Sequence, residues 1–504
     1  MNKRKFVNIL GIIIFWIMII WILWHMTYLF RGTQGERISV VGIKEETKNS
    51  LDVIYIGGSA AYRYWEPLKA YKEYGFTSYD LATSSIQAES ILPYIKYAQQ
   101  YQNPDLYIIG VRSFQYYENT GNEVGLRNSS DALDIGNNRF QLINTYLNNR
   151  DIETDEVALY WDLAKYHTNY EALKNRDSWA LRDNSAKCES KGFKALTAWS
   201  YLDKPEGFQN EIRAELPAND RNTLVKLLEY LKNNNLKALF VVCPYYITQE
   251  DYSKYNTMND IIASYGYDFL NTNDYYEEMA IDFSKDFYDI SHVNSLGAEK
   301  YTTFLGNYLL NHYSLPNHKG SEEFGEWESL AEEFIDEDAD SKETILKFIS
   351  YAEEGEEIAD IARTTDDFLK WASLLRDERY TMIAVGNEHD TEQLLPDYKK
   401  MLESINLADL FGRENYIKII KNGNVIDSND DGRTIISADI GQEWSKVPCV
   451  IENIDGKNEV YINGKNYNYK REDAINILVF DNYYRTISDS VYLRFNEGKI
   501  KIVR

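Results

Sequence analysis

The sequence predicts an α/β protein in three parts: an N-terminal membrane helix, a domain built on a parallel sheet, and a smaller strand-rich domain. Three observations carry this prediction. A long apolar run opens the chain, strands and helices alternate from Leu51 to Asn271, and strands with turn signals dominate the last hundred residues. Strands that alternate with helices are typical of a parallel sheet, whereas strands in series are typical of antiparallel sheets.

The apolar run Phe6–Phe30 is long enough to cross a bilayer, which needs about 20 residues. It follows the basic residues Lys3-Arg4-Lys5, which favour the cytoplasmic side. The run is too long for a cleaved signal peptide and lacks a small-x-small cleavage site. We therefore expect residues 1–32 to form a cytoplasmic tip and a signal anchor, with the bulk of the chain outside the cell membrane.

Charge and cysteine content exclude several classes of protein. The net charge of −25 argues against binding to nucleic acid, because no basic face offers itself to phosphates. The three cysteines lie far apart, and none stands in a zinc-binding spacing. We therefore expect no metal and no cofactor.

The alternating region predicts a domain over residues 33–317. Apolar strands are expected at residues 53–58, 105–111, 237–244 and 267–271, with helices at 89–101, 222–235 and 256–265. Continuous apolar strands separated by helices indicate a parallel sheet that is covered on both faces. A long polar and aromatic insertion, residues 115–217, interrupts the pattern, and insertions of this length commonly build a lid or a substrate wall.

A candidate nucleophile follows the first of these strands. The run VIYI ends at Gly57-Gly58-Ser59, and a helical segment begins at Ala60. This places Ser59 at the carboxyl edge of the sheet, where ligands bind in such folds, with backbone N–H groups of a helix start behind it. Glycines and a serine after a strand are also compatible with an ordinary turn.

A candidate base and its partner stand near the end of the domain. Asp289 and His292 lie three residues apart in a predicted loop, before a helix that starts around Ser295–Ala298. A serine hydroxyl needs a base to take its proton, and a carboxylate can orient the imidazole that does so. The alternative is a surface loop with a helix cap.

Residues 51–312 resemble membrane-anchored SGNH/GDSL-type hydrolases that modify cell-surface polysaccharides, DltD-like proteins included. The matching segments are IYIGGSAAYRYWEP, SYDLATSSIQAESILPYIKYAQQYQNPDLYIIGV, ALFVVCPYY and FYDISHVNSLGAEKY. The resemblance implies a flavodoxin-like fold in which Ser59 is acylated and the pair Asp289 and His292 activates it. The segment LYWDLAKYHTNYEAL also resembles the membrane-anchored subgroup, which suggests His167 near the site or, equally, a packed interior histidine.

The sequence departs from the family pattern where the oxyanion hole is usually completed. The usual GDS is Gly57-Gly58-Ser59, the second-block glycine falls in Ala82-Thr83-Ser84, and the third-block asparagine falls in Val111-Arg112-Ser113. Arg112 would either replace a donor, bind an anionic substrate, or form a salt bridge in a loop. The oxyanion and substrate candidates are Gly58, Thr83, Ser84, Arg112 and His167.

Residues 318–365 are expected to connect the two domains. His318–Ser341 is strongly acidic, which favours a solvated linker or a frayed helix, while Lys342–Glu357 has the pattern of an amphipathic helix. A divalent-cation site is the alternative for the acidic stretch, but no EF-hand spacing supports it.

Residues 366–504 resemble the ILEI/PANDER domain, a lectin-like α/β module. The matching text is YTMIAVGNEHDTEQLLPDYKKMLESINLADLFGRENYIKI and YINGKNYNYKREDAINILVFDNYYRTISDSVYLRF, in which Asn463-Gly464 predicts a tight hairpin turn. The resemblance implies recognition of a glycan or a partner. Five tyrosines are candidates for stacking on sugar rings, or else ordinary core and surface residues: Tyr461, Tyr467, Tyr469, Tyr483 and Tyr484.

The combined interpretation is a serine esterase or O-acyltransferase that acts on a cell-envelope glycan, with a polytopic membrane protein as a candidate acyl donor. The rival interpretation is a non-catalytic glycan-binding or assembly protein with a degenerate hydrolase domain. A third is hydrolysis of a phosphodiester or lipid head group, with Arg112 holding the phosphate. The sequence does not distinguish hydrolysis from transfer.

Overall fold

The computed structural model describes residues 3–31, 37–115, 121, 123–169, 187–386, 394–409, 415–430, 432–442, 445–454, 457–467, 471 and 474–504. The first helix, α1 (Lys3–Arg31), contains a stretch, Asn8–Thr27, that is long and apolar enough to cross a membrane. The predicted apolar run is therefore one continuous helix.

Contacts divide the chain into two compact units. The first comprises Met1–Ala195, Pro205–Ile281 and Ser291–Ala339, and the second comprises Leu196–Lys204, Asp282–Ile290 and Asp340–Arg504. Two short segments that the predicted boundary 33–317 assigns to the first domain thus pack with the second unit. The assignment of residues 33–317 to a hydrolase-like domain and of residues 366–504 to a lectin-like domain remains a prediction.

The helices of the first unit begin with α1 and continue through a series of mostly short elements. They are α2 (Ile38–Gly42), α3 (Ser59–Tyr62), α4 (Pro67–Tyr74), α5 (Ala88–Ala98), α6 (Glu123–Ser130), α7 (Asn137–Asn149), α8 (Glu156–Tyr160), α9 (Asp162–Tyr166), α10 (Ala218–Asn233), α11 (Gln249–Ser264) and α12 (Ser295–His312). The described part of the insertion 115–217 therefore carries its α-helices between residues 123 and 166.

A parallel sheet forms the centre of the first unit. Within the described residues its strands are β1 (Val53–Gly57), β2 (Ser78–Ala82), β3 (Leu106–Gly110), β4 (Ala238–Val242) and β5 (Asp268–Asn271), in the order β2-β1-β3-β4-β5. This is the flavodoxin-like strand order. The four apolar strands that the sequence predicts are all present. Their carboxyl ends lie at one edge of the sheet.

Strand β2 is the member of the sheet that the apolar pattern does not reveal. It pairs with β1 over its whole length, yet it carries Ser78 and Asp80, which are both fully buried. Burial of an uncompensated carboxyl is costly, so a pattern search rightly favours apolar runs. In this strand, pairing with β1 outweighs that preference.

Most of the acidic stretch lies in an unbroken helix rather than in a solvated linker or a frayed helix. Helix α13 runs over Gly325–Glu354, so it continues from the acidic stretch into the predicted amphipathic helix. Trp327 and Ala331, four residues apart, are buried on one face, and Trp327 contacts Tyr71. The charges on the exposed face conceal this apolar stripe in the sequence.

The second unit stacks helices and two antiparallel sheets. Its helices are α14 (Glu356–Thr364), α15 (Phe368–Leu374) and α16 (Pro396–Ser404). Among the described residues, one sheet has six strands and the other has four. The larger sheet packs against helices on one face and against the smaller sheet on the other.

The remaining strands complete the order along the chain. They are β6 (Phe287–Asp289), β7 (His292–Val293), β8 (Tyr380–Gly386), β9 (Tyr416–Lys421), β10 (Asn424–Ser428), β11 (Ile435–Gln442), β12 (Ser445–Ile454), β13 (Lys457–Ile462), β14 (Lys465–Tyr467), β15 (Ile475–Asp481), β16 (Thr486–Asn496) and β17 (Lys499–Val503). The larger sheet has the order β10-β9-β8-β15-β16-β17 and the smaller one the order β11-β12-β13-β14. The predicted hairpin joins β13 to β14, and Asn463 and Gly464 both have positive φ, of 51° and 77°. Two positive φ values are what a tight hairpin turn of this type requires.

Candidate functional site

A pocket of about 280 Å³ opens at the carboxyl edge of the parallel sheet, within the first unit. Its walls come from the ends of neighbouring strands and from the loops that follow them. The lining residues are Gly58, Ser59, Ala60, Ala61, Ser85, Ile86, Gly110, Arg112, Ser113, Val241, Cys243, Ser291 and His292. The candidate nucleophile and the candidate base therefore face the same cavity.

Ser59 and His292 are in direct contact. The Ser59 Oγ lies 2.7 Å from the Nε2 of His292, which is hydrogen-bonding distance, although the two residues are 233 positions apart in the chain. This is the arrangement in which an imidazole can take the hydroxyl proton during attack on an acyl carbon. The convergence that the sequence predicts for these two residues is present.

The glycines before Ser59 lie where packing is tight. A Cβ on Gly57 would lie 3.0 Å from the Cβ of Ala61, and a Cβ on Gly58 would lie 3.1 Å from the Ile86 side chain. Neither glycine has a positive φ. The glycines therefore let the chain turn sharply beneath Ser59 without a clash. They do not supply a left-handed turn.

Arg112 contacts the backbone next to His292. Its Nη1 donates to the Ser291 carbonyl oxygen at 2.9 Å, and its guanidinium lies 4.1 Å from the centre of the Tyr245 ring. The Tyr64 hydroxyl is 2.7 Å from the same carbonyl oxygen. Arg112 thus helps to fix the residue that precedes the candidate base, and it also lines the pocket. Its predicted roles as an oxyanion donor or an anion-binding residue remain predictions.

The other side of His292 is fixed by a helix cap. Asn294 precedes α12, and its side-chain oxygen accepts hydrogen bonds from the backbone N–H groups of Leu296 and Gly297 at 3.0 and 3.3 Å. A cap of this kind stabilises a helix start by about 1 kcal/mol. The backbone that carries His292 is therefore held between the Ser291 carbonyl oxygen and a capped helix.

Asp289 ends β6, three residues before His292, so it lies in a short strand rather than in the predicted loop. It belongs to the second unit, whereas His292 belongs to the first. Its carboxylate is close enough to Arg485 to favour the charged form of that guanidinium, although burial makes the net shift of the Arg485 pKa downward. Its predicted role as the partner of His292 remains a prediction.

Three of the predicted oxyanion and substrate candidates do not line the pocket. Thr83 is fully buried, and its hydroxyl is 3.5 Å from that of Tyr94. The Ser84 hydroxyl accepts a hydrogen bond from Asn128 at 2.9 Å. His167 is exposed, with its Nδ1 3.1 Å from the Ala164 carbonyl oxygen, so it is not a packed interior histidine either.

The next residues along the second block line the pocket in their place. Ser85 has a positive φ of 53°, a left-handed conformation that redirects the chain, and Ser85 and Ile86 face the cavity. Helix α6 of the insertion packs behind this loop, because a Cβ on Gly125 would lie 2.6 Å from the Ser85 carbonyl oxygen. The described part of the insertion therefore supports the wall but does not line it.

Ser113 is a pocket residue that the sequence analysis did not single out. Its side-chain oxygen is buried and has no hydrogen-bond partner among the described residues. Buried polar atoms are rarely left unpaired, and an orphaned hydroxyl that lines a cavity is suited to a ligand. Its place in the third block, where the family pattern has a polar donor, is the signal that points to it.

Cys243 forms part of the pocket wall but is unsuited to be a nucleophile. Its Sγ donates to the Ala60 carbonyl oxygen at 2.6 Å and lies 3.1 Å from the Tyr55 hydroxyl. Burial raises the pKa of the Cys243 thiol to about 11, so the reactive thiolate is scarce at neutral pH. The thiol supports the turn that carries Ser59.

The tyrosines proposed to stack on sugars are engaged locally in the second unit. The Tyr461 hydroxyl donates to Glu459, Tyr467 packs against the core between the two sheets, and the Tyr483 hydroxyl donates to Glu378 at 3.2 Å. Tyr484 packs against Trp199. Tyr469 lies outside the described residues. Stacking of these rings on a sugar remains a prediction.

Comparison with known proteins does not identify a family for this chain. No family model matches the chain, and a search of curated proteins finds no match. Among the described residues, no group of three or more His, Cys, Asp or Glu side chains is placed to hold a metal ion. The functional conclusion therefore depends on the geometry of the Ser59 pocket.

Proposed function

We propose that the chain is a serine esterase or O-acyltransferase of the SGNH type, acting on an acyl ester of a cell-envelope glycan at the outer membrane face. The observation that carries the proposal is the 2.7 Å contact between Ser59 Oγ and His292 Nε2 in the wall of an open pocket. A serine within hydrogen-bonding reach of an imidazole is the recurring signature of covalent acyl transfer.

The proposed reaction has two displacements. The Ser59 oxygen attacks the ester carbonyl carbon while His292 Nε2 accepts the hydroxyl proton. The tetrahedral intermediate collapses to an acyl-serine, and the leaving alkoxide takes the proton from His292. Water or a sugar hydroxyl then attacks the acyl-serine and gives its own proton to His292, which returns it to the Ser59 oxygen. An acid or a new ester is released, and the serine is restored.

Two groups are available to stabilise the negative oxygen of the intermediate. The backbone N–H of Ser59 lies in the first turn of α3, where N–H groups have no partner within the helix. The Ser113 hydroxyl is a buried donor that lines the same pocket. We assign it the role that the third-block asparagine has in related hydrolases, since a hydroxyl can donate to an oxyanion.

A second candidate function is a non-catalytic envelope protein whose hydrolase site is degenerate. The observation that favours it is the position of Thr83 and Ser84, which do not line the pocket although the family pattern places an oxyanion donor in this block. In this case residues 366–504, which resemble a lectin-like ILEI/PANDER module, would recognise a glycan or a protein partner. Ester turnover would then be absent.

Turnover of an activated ester by the full chain in detergent tests the proposal. We expect release of nitrophenol from p-nitrophenyl acetate, loss of release in Ser59→Ala, and normal release in Ser84→Ala, a matched serine outside the pocket. An added oligosaccharide that becomes acylated would indicate transfer, whereas free acetate alone would indicate hydrolysis. Parental turnover by Ser59→Ala would contradict the proposal, and a folded parent without turnover would favour the non-catalytic function.

A further inference from the structure

The end of helix α1 is the starting point for an inference about how the first unit meets the membrane. The apolar stretch ends at Thr27, and Arg31 follows four residues later, about 6 Å further along a helix. The polar headgroup layer adds about 5–8 Å to each side of the hydrocarbon core. With α1 spanning the bilayer, as proposed above, Arg31 lies at the depth of the headgroups.

Arg31 is bound to the insertion by a buried ion pair. Its Nη1 lies 2.9 Å from the Asp162 carboxylate, and neither side chain has any exposed surface. Arg139 donates to the same carboxylate from α7 at 2.8 Å. The side-chain amide of Asn169 also donates to the Phe30 carbonyl oxygen at 3.3 Å. Helix α9 is therefore fixed to the last turn of α1, and α1 is not a loose tether.

Helix α8, directly before α9, presents an apolar face to the outside. Val157 and Trp161 are one helical turn apart, joined by the Trp161 N–H to the Val157 carbonyl oxygen at 2.9 Å. Their side chains are 62% and 50% exposed, whereas Ala158 and Leu159 between them are buried. Val157 and Trp161, the residue that follows α8, are thus exposed apolar side chains, and Trp161 directly precedes Asp162, which pairs with Arg31. Exposed apolar patches occur where a protein contacts a membrane.

We propose that Val157 and Trp161 form a membrane-contacting surface that lies in the headgroup layer of the bilayer crossed by α1. Trp161 is adjacent to Asp162, which the ion pair with Arg31 holds at this depth. Tryptophan is enriched at the boundary between lipid and water, because its ring is apolar with a polar N–H. The contact fixes the height of the first unit, and with it the Ser59 pocket, above the membrane.

The chemistry of the flanking side chains selects zwitterionic lipid. Glu153, Asp155 and Glu156 are exposed beside the apolar pair. These acidic residues would be repelled by an anionic surface. The contact is therefore an apolar insertion beside acidic residues, and phosphatidylcholine is the appropriate lipid for its test.

A nitroxide label on Val157→Cys, in the full chain reconstituted into phosphatidylcholine vesicles, tests the proposal. The three native cysteines are buried, so the introduced thiol is the accessible one. We expect the label to be several-fold less accessible to a water-soluble nickel chelate than a label on Ile212→Cys, a position of the first unit with 64% exposure. Its accessibility to oxygen, which concentrates in lipid, should be higher.

Two results would overturn the proposal. Nickel accessibility at residue 157 equal to that at residue 212 would mean that the face is in water. Reduced accessibility to both nickel and oxygen would mean that protein covers it. A third label, on Ile17→Cys in α1, separates these failures from a failure of the anchor. A residue 17 outside lipid would overturn the membrane position of α1 and the proposal with it.

Discussion

The Ser59 pocket of the first unit and the turn Asp481–Arg485 of the second unit both gather side chains with conspicuous chemistry. In the pocket, Ser59 and His292 meet at 2.7 Å on the wall of an open cavity. In the turn, Asp481 accepts hydrogen bonds from the backbone N–H groups of Tyr483 and Tyr484 and pairs with buried Arg379. The polar groups of the pocket face a cavity, whereas those of the turn form hydrogen bonds and an ion pair within the second unit.

Arg485 illustrates the same point within the second unit. It has a positive φ of 54° and is almost completely buried, and its Nη1 donates to the carbonyl oxygens of Tyr288 and Trp199 at 2.9 and 3.3 Å. These two residues belong to the segments that the sequence assigns to the hydrolase domain. A residue type associated with ligand binding here holds distant segments of chain together.

The largest difference between the two regions is expected for a variant of the Ser59 pocket. We expect Ser113→Ala to lower ester turnover by about 10²–10³-fold, because one donor to the oxyanion is lost. The loss should appear in kcat rather than in KM, since the oxyanion exists in the transition state. Ser84→Ala is the matched control. Unchanged kcat in Ser113→Ala would remove this residue from the site.

The next largest effect is expected for a variant of the turn Asp481–Arg485. Arg485→Ala should destabilise the second unit by about 1–3 kcal/mol, because the Trp199 carbonyl oxygen loses a buried donor and the Tyr288 carbonyl oxygen is left with the Ser200 hydroxyl. Hydrogen–deuterium exchange of the full chain should show faster exchange in β15 and β16. Exposed Arg494 in β16 offers the control Arg494→Ala, which should leave exchange unchanged. Equal exchange in both variants would show that Arg485 does not stabilise this unit.

A smaller effect on stability is expected from Asp80, which lies in β2 next to β1. Its carboxyl is fully buried, neither oxygen has a partner among the described residues, and burial raises its pKa well above the usual range. In the unfolded chain the Asp80 carboxyl ionises above about pH 4, whereas in the folded state it stays protonated. The free energy of unfolding is therefore highest below about pH 4 and falls as the pH rises.

Asp80→Asn should therefore be more stable than the parent by at least about 1 kcal/mol near pH 8. The two proteins should converge near pH 4. Denaturant unfolding of the full chain at both pH values measures the difference, and exposed Asp105→Asn is the control. A parent whose stability does not fall between these pH values would show that Asp80 has a partner in the folded state.

The smallest effect is expected for Tyr483→Phe. This change removes one partly exposed hydrogen bond, to Glu378, and keeps the ring, so we expect a loss of less than about 1 kcal/mol. Ester turnover should stay at the parental level. A large loss of turnover would break the distinction between the two regions, because it would give a residue of the turn a role in the reaction.

The sequence predicts the parts of this fold in which local pattern and packing agree. Apolar runs predict β1, β3 and β4, and Asn463-Gly464 predicts the hairpin whose two positive φ values the structure confirms. The apolar pattern does not predict strand β2, because buried Ser78 and Asp80 interrupt it. The acidic residues of α13 hide the stripe that contains Trp327 and Ala331.

The meeting of Ser59 and His292 follows from topology, since both come from the carboxyl side of one parallel sheet. Thr83 and Ser84 fall one or two residues short of the pocket, because Ser85 turns the chain through a left-handed conformation that no local pattern announces. The role of Arg112 depends on the Ser291 carbonyl oxygen, a backbone atom 179 residues away that sequence motifs do not specify.

The central claim is that His292 activates Ser59 as a nucleophile. Labelling of the full chain with a fluorophosphonate probe tests it most directly, since the serine oxygen displaces fluoride from phosphorus while the base takes its proton. We predict modification at Ser59 in the parent and in Ser84→Ala, none at that site in Ser59→Ala, and a rate about 10²–10⁴-fold lower in His292→Ala. A folded parent that is not labelled, or His292→Ala labelled at the parental rate, would contradict the account.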